Sequence, residues 1–208
     1  MKSFIILVIL SITICSLFAQ ENMKPAQIKI VFGRSIHGTG DMGGLAFSTE
    51  FQKFFKPRLT WSLSLDGSIH SRDFPIFFNS ATNPNQIIDG SIRSTTAGVQ
   101  VAGHLGYNIL KSKQQDFQCR IGALLRYQSS SYYDGVQVLY PPLTGLPIPV
   151  NVFDNTTPQN TYAVGGSIQL LNNYTLKNDL TIGPLVGFQI DTNGDALSQI
   201  SLTIGKRF

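Results

Sequence analysis

Four ionisable side chains carry most of the chemistry that the sequence offers: Glu50, Asp66, Arg120 and Arg126. Each stands on the polar face of a segment in which polar and apolar residues alternate, so a barrel made of these segments would turn them inward. Buried charges are costly unless they are paired. We therefore predict two ion-pair layers across a closed interior, Glu50–Arg120 and Asp66–Arg126. Such layers favour a satisfied polar core over a gated ion path, because buried pairs are mostly structural.

Two further groups have residue types that could do chemistry. His37 and the run His70-Ser71-Arg72-Asp73 place histidine near a hydroxyl, but a nucleophilic serine needs a bonded base and a third orienting group. Asp191, Asn193 and Asp195 have the spacing of a Ca²⁺ loop, although a tight hairpin explains the same residues. We expect no catalytic residue, no metal and no cofactor.

Eight segments of alternating pattern must position these residues. A strand sends successive side chains to opposite faces, and each segment reaches the roughly 9–11 residues of a tilted membrane strand. In the clearest, Leu63 and Leu65 share one face while Ser62 and Ser64 share the other. The pattern predicts an all-β protein, an eight-stranded antiparallel up-and-down transmembrane β-barrel. Its strands are placed at 27–37, 43–55, 58–70, 95–110, 117–131, 160–174, 180–191 and 197–208.

Two residues disturb this pattern. Arg34 stands on the apolar face of the first segment, and Pro184 stands inside the seventh. Proline normally avoids the interior of a paired strand because it has no N–H to donate. Pro184 therefore indicates either a bulge or a different register in that strand.

The connections alternate in length. Short polar turns lie near 56–57, 111–116 and 175–179. The other connections are 37–42, 71–94, 132–159 and the tight 191–195, where Asn193-Gly194 is a strong hairpin signal. Short turns at one rim and longer loops at the other are typical of outer-membrane barrels.

The amino-terminus predicts a secretory signal peptide over residues 1–19, with a barrel domain over 20–208. Lys2 is its positive region, Phe4–Cys15 its apolar region and Ala19 its cleavage residue. That apolar run is shorter than the ~20 residues that a spanning helix needs. Lys2 is the only charged residue of the predicted signal peptide, so its cleavage lowers the formal net charge from +4 to +3. A charge of this size is too weak to indicate nucleic-acid binding. Cys119 is then the only cysteine, so an internal disulfide is excluded.

Alternation alone does not say which face points outward, because a soluble eight-stranded barrel has the same period with its apolar face inside. Charged residues are only 13% of the chain, against about 25% in a typical soluble domain, so the polar face carries too little charge to meet bulk water. Aromatic residues also gather near both predicted strand ends, as in the girdles at lipid–water interfaces. They are Phe51, Phe55, Trp61, Tyr107, Phe117, Tyr174 and Phe208 at one end, and Phe47, Tyr127, Tyr162 and Phe188 at the other.

The last segment carries a family resemblance. Ile200, Leu202 and Ile204 alternate there with small or polar residues, and the sequence ends on Phe208. With the strand number, the loop alternation and the charged interior, this resembles the small Gram-negative outer-membrane barrels of the OmpA-transmembrane-domain and OmpX type. The resemblance implies a porin-like cell-envelope protein in the outer membrane, with both termini periplasmic. It also implies contact with outer-membrane lipid and lipopolysaccharide, and a role for Phe208 as the assembly signal read by the barrel-assembly machinery.

The two longest predicted connections, 71–94 and 132–159, contain apolar segments. Disordered loops are usually polar, so these loops are expected to have a defined role. Either they pack together and cap the barrel, or they form a docking surface. From the docking-surface interpretation we predict a non-catalytic outer-membrane protein with a structural or interaction role. It would present these loops to a partner protein or ligand, for instance within a larger outer-membrane complex. A lipid A-modifying barrel enzyme and a narrow gated ion channel are the alternatives. The predicted surface residues are Phe74, Phe77, Phe78, Leu139, Tyr140, Leu146 and Ile148.

Overall fold

Eight long strands close into one antiparallel barrel, which confirms the predicted fold. The computed structural model describes residues 26–38, 42–75, 77–79, 85, 87–131, 135–154 and 159–208, and of residues 78, 88, 92, 153 and 154 it describes the backbone alone. The predicted signal peptide, residues 1–19, lies outside the described residues. The barrel strands are β1 (Ala26–His37), β2 (Met42–Lys56), β3 (Leu59–Phe74), β6 (Ile92–Lys111), β7 (Gln115–Ser130), β10 (Asn160–Thr175), β11 (Leu180–Asp191) and β12 (Ala196–Arg207).

Each barrel strand pairs with the next one along the chain, and β12 pairs with β1 to close the barrel. Two small hairpins stand in the long connections: β4 (Phe77–Asn79) with β5 (Ile87–Asp89), and β8 (Gly135–Leu139) with β9 (Val150–Asp154). One helical turn, α1 (Pro141–Thr144), joins β8 to β9 and ends at Gly145 in the left-handed region. Among the described residues, no helix is both long and apolar enough to cross a membrane.

The barrel has two unlike rims. The terminal rim carries both described chain ends, with the Phe208 N–H donating to the Ala26 carbonyl at 2.9 Å, and three short turns. The loop rim carries the connections 38–41, 75–91, 131–159 and 192–195. Strand β6 has 20 residues while β12 has 12. At the loop rim the barrel wall is therefore higher around β6 than around β12.

The outer wall is apolar because alternate residues of every barrel strand face away from the lumen. Ile30, Leu63 and Ile121 are 62%, 53% and 61% exposed on that wall. Their strand neighbours Lys29, Ser62 and Arg120 are buried inside. This is the predicted sidedness. The lumen is not entirely polar, because Val31, Leu171 and Leu185 form an apolar cluster within it.

Pro184 is accommodated without a bulge. Pairing between β10 and β11 stops at Leu171–Leu185 and resumes in the same register at Tyr174–Ile182. On the other side the ladder to β12 runs on through Pro184–Leu202. Since proline has no N–H, the interruption falls on one side of the strand only. The predicted faces of this strand are therefore correct.

Candidate functional site

The half of the lumen next to the terminal rim is built around one buried carboxylate. Lys29 and Glu50 are cross-strand partners on β1 and β2, and Lys29 Nζ lies 2.7 Å from Glu50 Oε1. Arg120 reaches from β7 across the lumen, and its Nη1 lies 2.8 Å from Glu50 Oε2. The structure thus brings the predicted partners Glu50 and Arg120 together and adds Lys29 as a second cation on the same carboxylate.

Glutamine side chains extend this contact into a network. The Gln52 side-chain oxygen accepts hydrogen bonds from Lys29 Nζ at 2.6 Å and from Arg120 Nη2 at 2.7 Å. Gln27 Nε2 donates to the same oxygen at 2.9 Å. Arg120 Nε also donates to the Gln118 side chain. The low dielectric of a closed lumen strengthens each of these charged hydrogen bonds.

A second buried ion pair joins the network at the rim. Arg207 donates to the carboxylate of Asp116 and, through Nε, to Gln27 Oε1 at 3.2 Å. The terminal network is therefore Gln27, Lys29, Glu50, Gln52, Asp116, Gln118, Arg120 and Arg207, each 3% exposed or less. Its three cations and two anions leave one net positive charge. The prediction missed the Arg207–Asp116 pair because it assigned Asp116 to a turn, although Asp116 shares the parity of Gln118 and Arg120.

In the half of the lumen next to the loop rim, the buried ion pair is not the predicted one. Arg126 Nη1 lies 3.3 Å from Asp191 Oδ2, so the predicted Asp66–Arg126 pair is wrong in its acidic partner. Asp66 instead accepts a hydrogen bond from Gln100 Nε2 at 3.0 Å. The physical reason is the strand register, in which Gln100 of β6 stands opposite both Asp66 of β3 and Arg126 of β7. The glutamine thus occupies the place between the two charges.

Asp191 has two tasks in this half. Its Oδ1 accepts hydrogen bonds from the backbone N–H groups of Asn193 at 3.0 Å and Asp195 at 3.3 Å. Gly194 completes the turn with φ +81°, a conformation that glycine adopts at little cost. The same carboxylate therefore shapes the β11–β12 hairpin and pairs with Arg126. This explains the Asp191, Asn193 and Asp195 spacing as turn chemistry.

Two histidines lie where the lumen meets the loop rim. The rings of His37 and His70 are 5.3 Å apart between centroids, and His37 Nε2 lies 3.6 Å from Asp195 Oδ2. Gln128 Nε2 donates to the same Asp195 oxygen at 3.0 Å. The His37 ring beside it holds the pKa of the Asp195 carboxyl below its ordinary value, against the opposing effect of burial.

A serine–histidine contact of the kind that hydrolases use is present, but not the predicted one. Ser35 Oγ lies 2.7 Å from His70 Nε2, whereas Ser71 points away from the lumen. Both Ser35 and His70 are almost fully buried. Within the described part of the chain, His70 Nδ1 has no hydrogen-bond partner. The third group that would orient the imidazole of a catalytic triad is thus not in place there.

A small cavity lies in the lumen. Its volume is about 30 Å³ and its lining includes Asp66, Gln100 and His104, so it has room for about one or two water molecules. His104 Nε2 lies 3.0 Å from Ser167 Oγ, across Gly122 of the intervening strand. A Cβ at position 122 would overlap the His104 ring, so this glycine makes the packing possible.

The apolar loop residues are largely presented to the outside. In the segment that contains β8, α1 and β9, Tyr140 and Leu146 are 61% and 49% exposed, and Leu143, which the prediction omitted, is 77% exposed. Leu139 and Ile148 are half-buried. In the other loop Phe77 is exposed. Phe74 is half-buried with the Arg72 guanidinium 4.8 Å above its ring, and the Phe78 side chain lies outside the described residues.

Phe208 lies on the outer wall at the terminal rim. Its ring is 6.5 Å from that of Phe51, which is in turn 5.6 Å from the Trp61 ring. The backbone of Phe208 exchanges hydrogen bonds with Ala26. Three aromatic residues predicted to lie at this end of the strands, Trp61, Phe51 and Phe208, are therefore neighbours on the outer wall.

Fold and lumen together define a closed eight-stranded barrel with an apolar outer wall and a largely polar interior, the architecture of small outer-membrane barrels. Among solved structures, the chain is similar to Neisserial surface protein A, with a TM-score of 0.52 and 7% identity over 88% of this chain and 96% of that one. It is also similar to Ail, the attachment invasion locus protein of Yersinia pestis, with a TM-score of 0.49 and 11% identity over 89% and 100%. For the outer membrane enzyme PagL the TM-score is 0.40, with 8% identity over 88% and 99%.

No family model matches the chain, and no curated protein matches it. The likeness to Neisserial surface protein A, at 7% identity, shows the fold alone.

Proposed function

We propose that the protein is a non-catalytic integral outer-membrane barrel whose β8–β9 segment docks a partner protein outside the cell. The apolar outer wall supports membrane insertion, since only closed barrels and helices satisfy every backbone group in lipid. Short turns at one rim and long loops at the other support a periplasmic terminal rim and an extracellular loop rim. In this orientation both termini are periplasmic.

One observation carries the docking role: exposed apolar side chains on an ordered loop. Residues 135–153 contain no charged side chain, and the β8–β9 ladder runs from Gly135–Asp154 to Leu139–Val150. Gly145 N–H donates to the Pro141 carbonyl at 2.8 Å and closes α1. Backbone hydrogen bonds and prolines thus hold Tyr140, Leu143 and Leu146 outward. Such pre-ordering lowers the entropic cost of binding, and an exposed apolar patch of this kind suits an apolar partner surface.

Site-specific photo-cross-linking from position 143 in intact outer membranes tests this role. We expect one discrete protein adduct that Tyr140→Glu and Leu146→Glu abolish, because a buried unpaired carboxylate opposes docking. Gln137→Glu, a change to the same carboxylate at another exposed position of the hairpin, is the matched control and should keep the adduct. Heat-modifiable gel migration must show that every variant still forms the barrel. Equal adduct yield from L146E and Q137E would contradict the proposal.

A lipid A-modifying enzyme is the second candidate, and one observation favours it: the Ser35–His70 hydrogen bond of 2.7 Å. Mass spectra of lipid A from cells with the wild-type protein, Ser35→Ala or His70→Ala distinguish the candidates. Docking without catalysis predicts identical spectra. A mass change that disappears in both variants would instead establish the enzyme.

We also propose that Phe208 serves the assembly machinery. Its exposed ring lies beside Phe51, and its backbone is hydrogen-bonded to Ala26 where the barrel closes, and both observations support this role. Phe208→Ala should lower the amount of folded barrel in outer membranes several-fold, while the purified variant should still refold in detergent. Unchanged amounts in cells would contradict the role.

A further inference from the structure

A groove of about 960 Å³ runs along the outer wall below the loop rim, across β10, β11, β12, β1 and β2. Its sides are apolar, with Leu170 and Val186 at one end and Leu45 at the other. In its floor Ile36 is flanked by Gly43 and Ser198 on the neighbouring strands. These small residues lower the wall and make it concave. The volume is that of pockets that bury small organic ligands.

Arg34 is the charged residue of this groove. Its side chain is exposed on the outer face of β1, between Leu45 and Ile200 in the same cross-strand row. Among the described residues, no carboxylate lies within salt-bridge distance of it. Arginine on the lipid face of a barrel is unfavourable, and the cost falls towards the interface. Arg34 stands three positions from His37 at the loop rim, which is where an interface would lie.

At this position, an anion that belongs to the membrane would stabilise the Arg34 guanidinium. A guanidinium has five donors and matches a phosphate in a bidentate contact. The remaining groove walls match acyl chains. Phosphate and acyl chain in one molecule describe a phosphorylated lipid of the leaflet that surrounds the loop rim.

We propose that this groove binds lipid A, with one phosphate on Arg34 and one acyl chain along Ile200, Val186 and Leu170. The choice of lipid A rests on the proposed function, which places the loop rim, and therefore the groove, in the outer leaflet. Outward cations at the terminal rim, such as Lys53, belong to the other leaflet and do not share this ligand.

The test uses the full barrel in phosphatidylcholine nanodiscs with bisphosphorylated lipid A as the probe and native mass spectrometry as the readout. Compared with the wild type, Arg34→Gln should lower the bound fraction at least tenfold, and Arg34→Lys should retain part of it. Lys53→Gln is the matched control and should bind within twofold of the wild type. Dephosphorylated lipid A should bind the wild type no better than R34Q binds the intact probe.

Equal binding by R34Q and K53Q overturns the proposal, and so does equal competition by phosphatidylglycerol, which would identify an ordinary phospholipid as the occupant. Gel migration with and without heating, in nanodiscs that lack lipid A, reports barrel formation separately. A folded barrel that binds lipid A independently of Arg34 refutes this site alone. A chain that does not insert refutes the proposed function as well.

Discussion

The two halves of the lumen are filled by different means. Next to the terminal rim, eight side chains form the terminal network around Glu50, and every member is contributed by a barrel strand. Next to the loop rim, Arg126 pairs with Asp191 and His37 approaches Asp195. These two acidic residues lie on either side of the β11–β12 turn. The apolar cluster of Val31, Leu171 and Leu185 also lies in the lumen.

This difference indicates two kinds of support. The terminal network depends on strand register alone, so the loops can change without disturbing it. The contacts near the loop rim depend on the shape of one hairpin, because Asp191 both caps the turn and holds Arg126. We therefore expect the terminal half to dominate barrel stability and the other half to couple the lumen to the loop rim.

The largest effect should follow from Glu50→Gln. This change leaves Lys29 and Arg120 buried beside a neutral amide, and removing one partner of a buried ion pair typically costs about 3–5 kcal/mol. Urea unfolding in phospholipid vesicles, followed by the fluorescence of Trp61, measures the loss. Lys29→Gln added to Glu50→Gln should recover part of it, because one uncompensated cation is removed. A loss below about 1 kcal/mol for Glu50→Gln would show that the network is hydrated.

A smaller effect should follow from Asp191→Asn. The amide oxygen can still accept the turn N–H groups, so the main loss is the charged contact with Arg126, worth about 1.5–3 kcal/mol. The same urea titration measures it, and Asn193→Ala, a neighbouring turn residue whose side chain is not in these contacts, serves as control. If Asp191→Asn destabilised the barrel more than Glu50→Gln, the ranking of the two halves would be reversed.

Strand parity explains why much of this could be predicted from the sequence. The period of two in β3 and β11 places Leu63 and Phe188 outside and Ser62 and Gln189 inside, because backbone geometry alone fixes that alternation. The same parity turns Glu50 and Arg120 into the lumen, where single buried charges are costly. Their inward orientation depends on local pattern, whereas their contact also depends on the height of each residue in the barrel.

The partner of Arg126 could not be predicted in this way. Which residues share a height in a closed barrel depends on strand tilt and shear, and neither is visible in one strand's pattern. Asp191 and Asp116 stand at the edges of predicted turns, where polarity has a local explanation. The strands of the β8–β9 hairpin, at five residues each, are shorter than the roughly 9–11 residues of a membrane strand, so the membrane-strand pattern does not reveal them.

Independence of the two halves can be tested by double-mutant cycles. Glu50→Gln and Asp191→Asn share no partner, so their effects on unfolding free energy should add within about 0.5 kcal/mol. Glu50→Gln and Asp116→Asn act on one network through Gln27 and Gln52. That pair should show a coupling of about 0.5–3 kcal/mol. Coupling of similar size in both cycles would mean that the lumen acts as a single unit.

The smallest effect concerns pH at the loop rim. Because His37 lowers the pKa of Asp195 in the folded barrel, the folded state binds fewer protons there than the unfolded chain does. This contribution is therefore complete above the ordinary carboxyl pKa and is lost as the pH falls through the lower folded value. The contact is partly solvated, so we expect less than about 1 kcal/mol.

The measurement is the difference in unfolding free energy between the wild type and Asp195→Asn at a series of pH values from neutral to strongly acidic. The difference should favour the wild type near neutrality and shrink towards the acid end, whereas carboxylates common to both chains cancel. The terminal network is unchanged in both proteins, so the trend reports the loop rim alone. A difference that grows on acidification would have the opposite sign, and the His37–Asp195 contact would then not stabilise the ionised carboxyl.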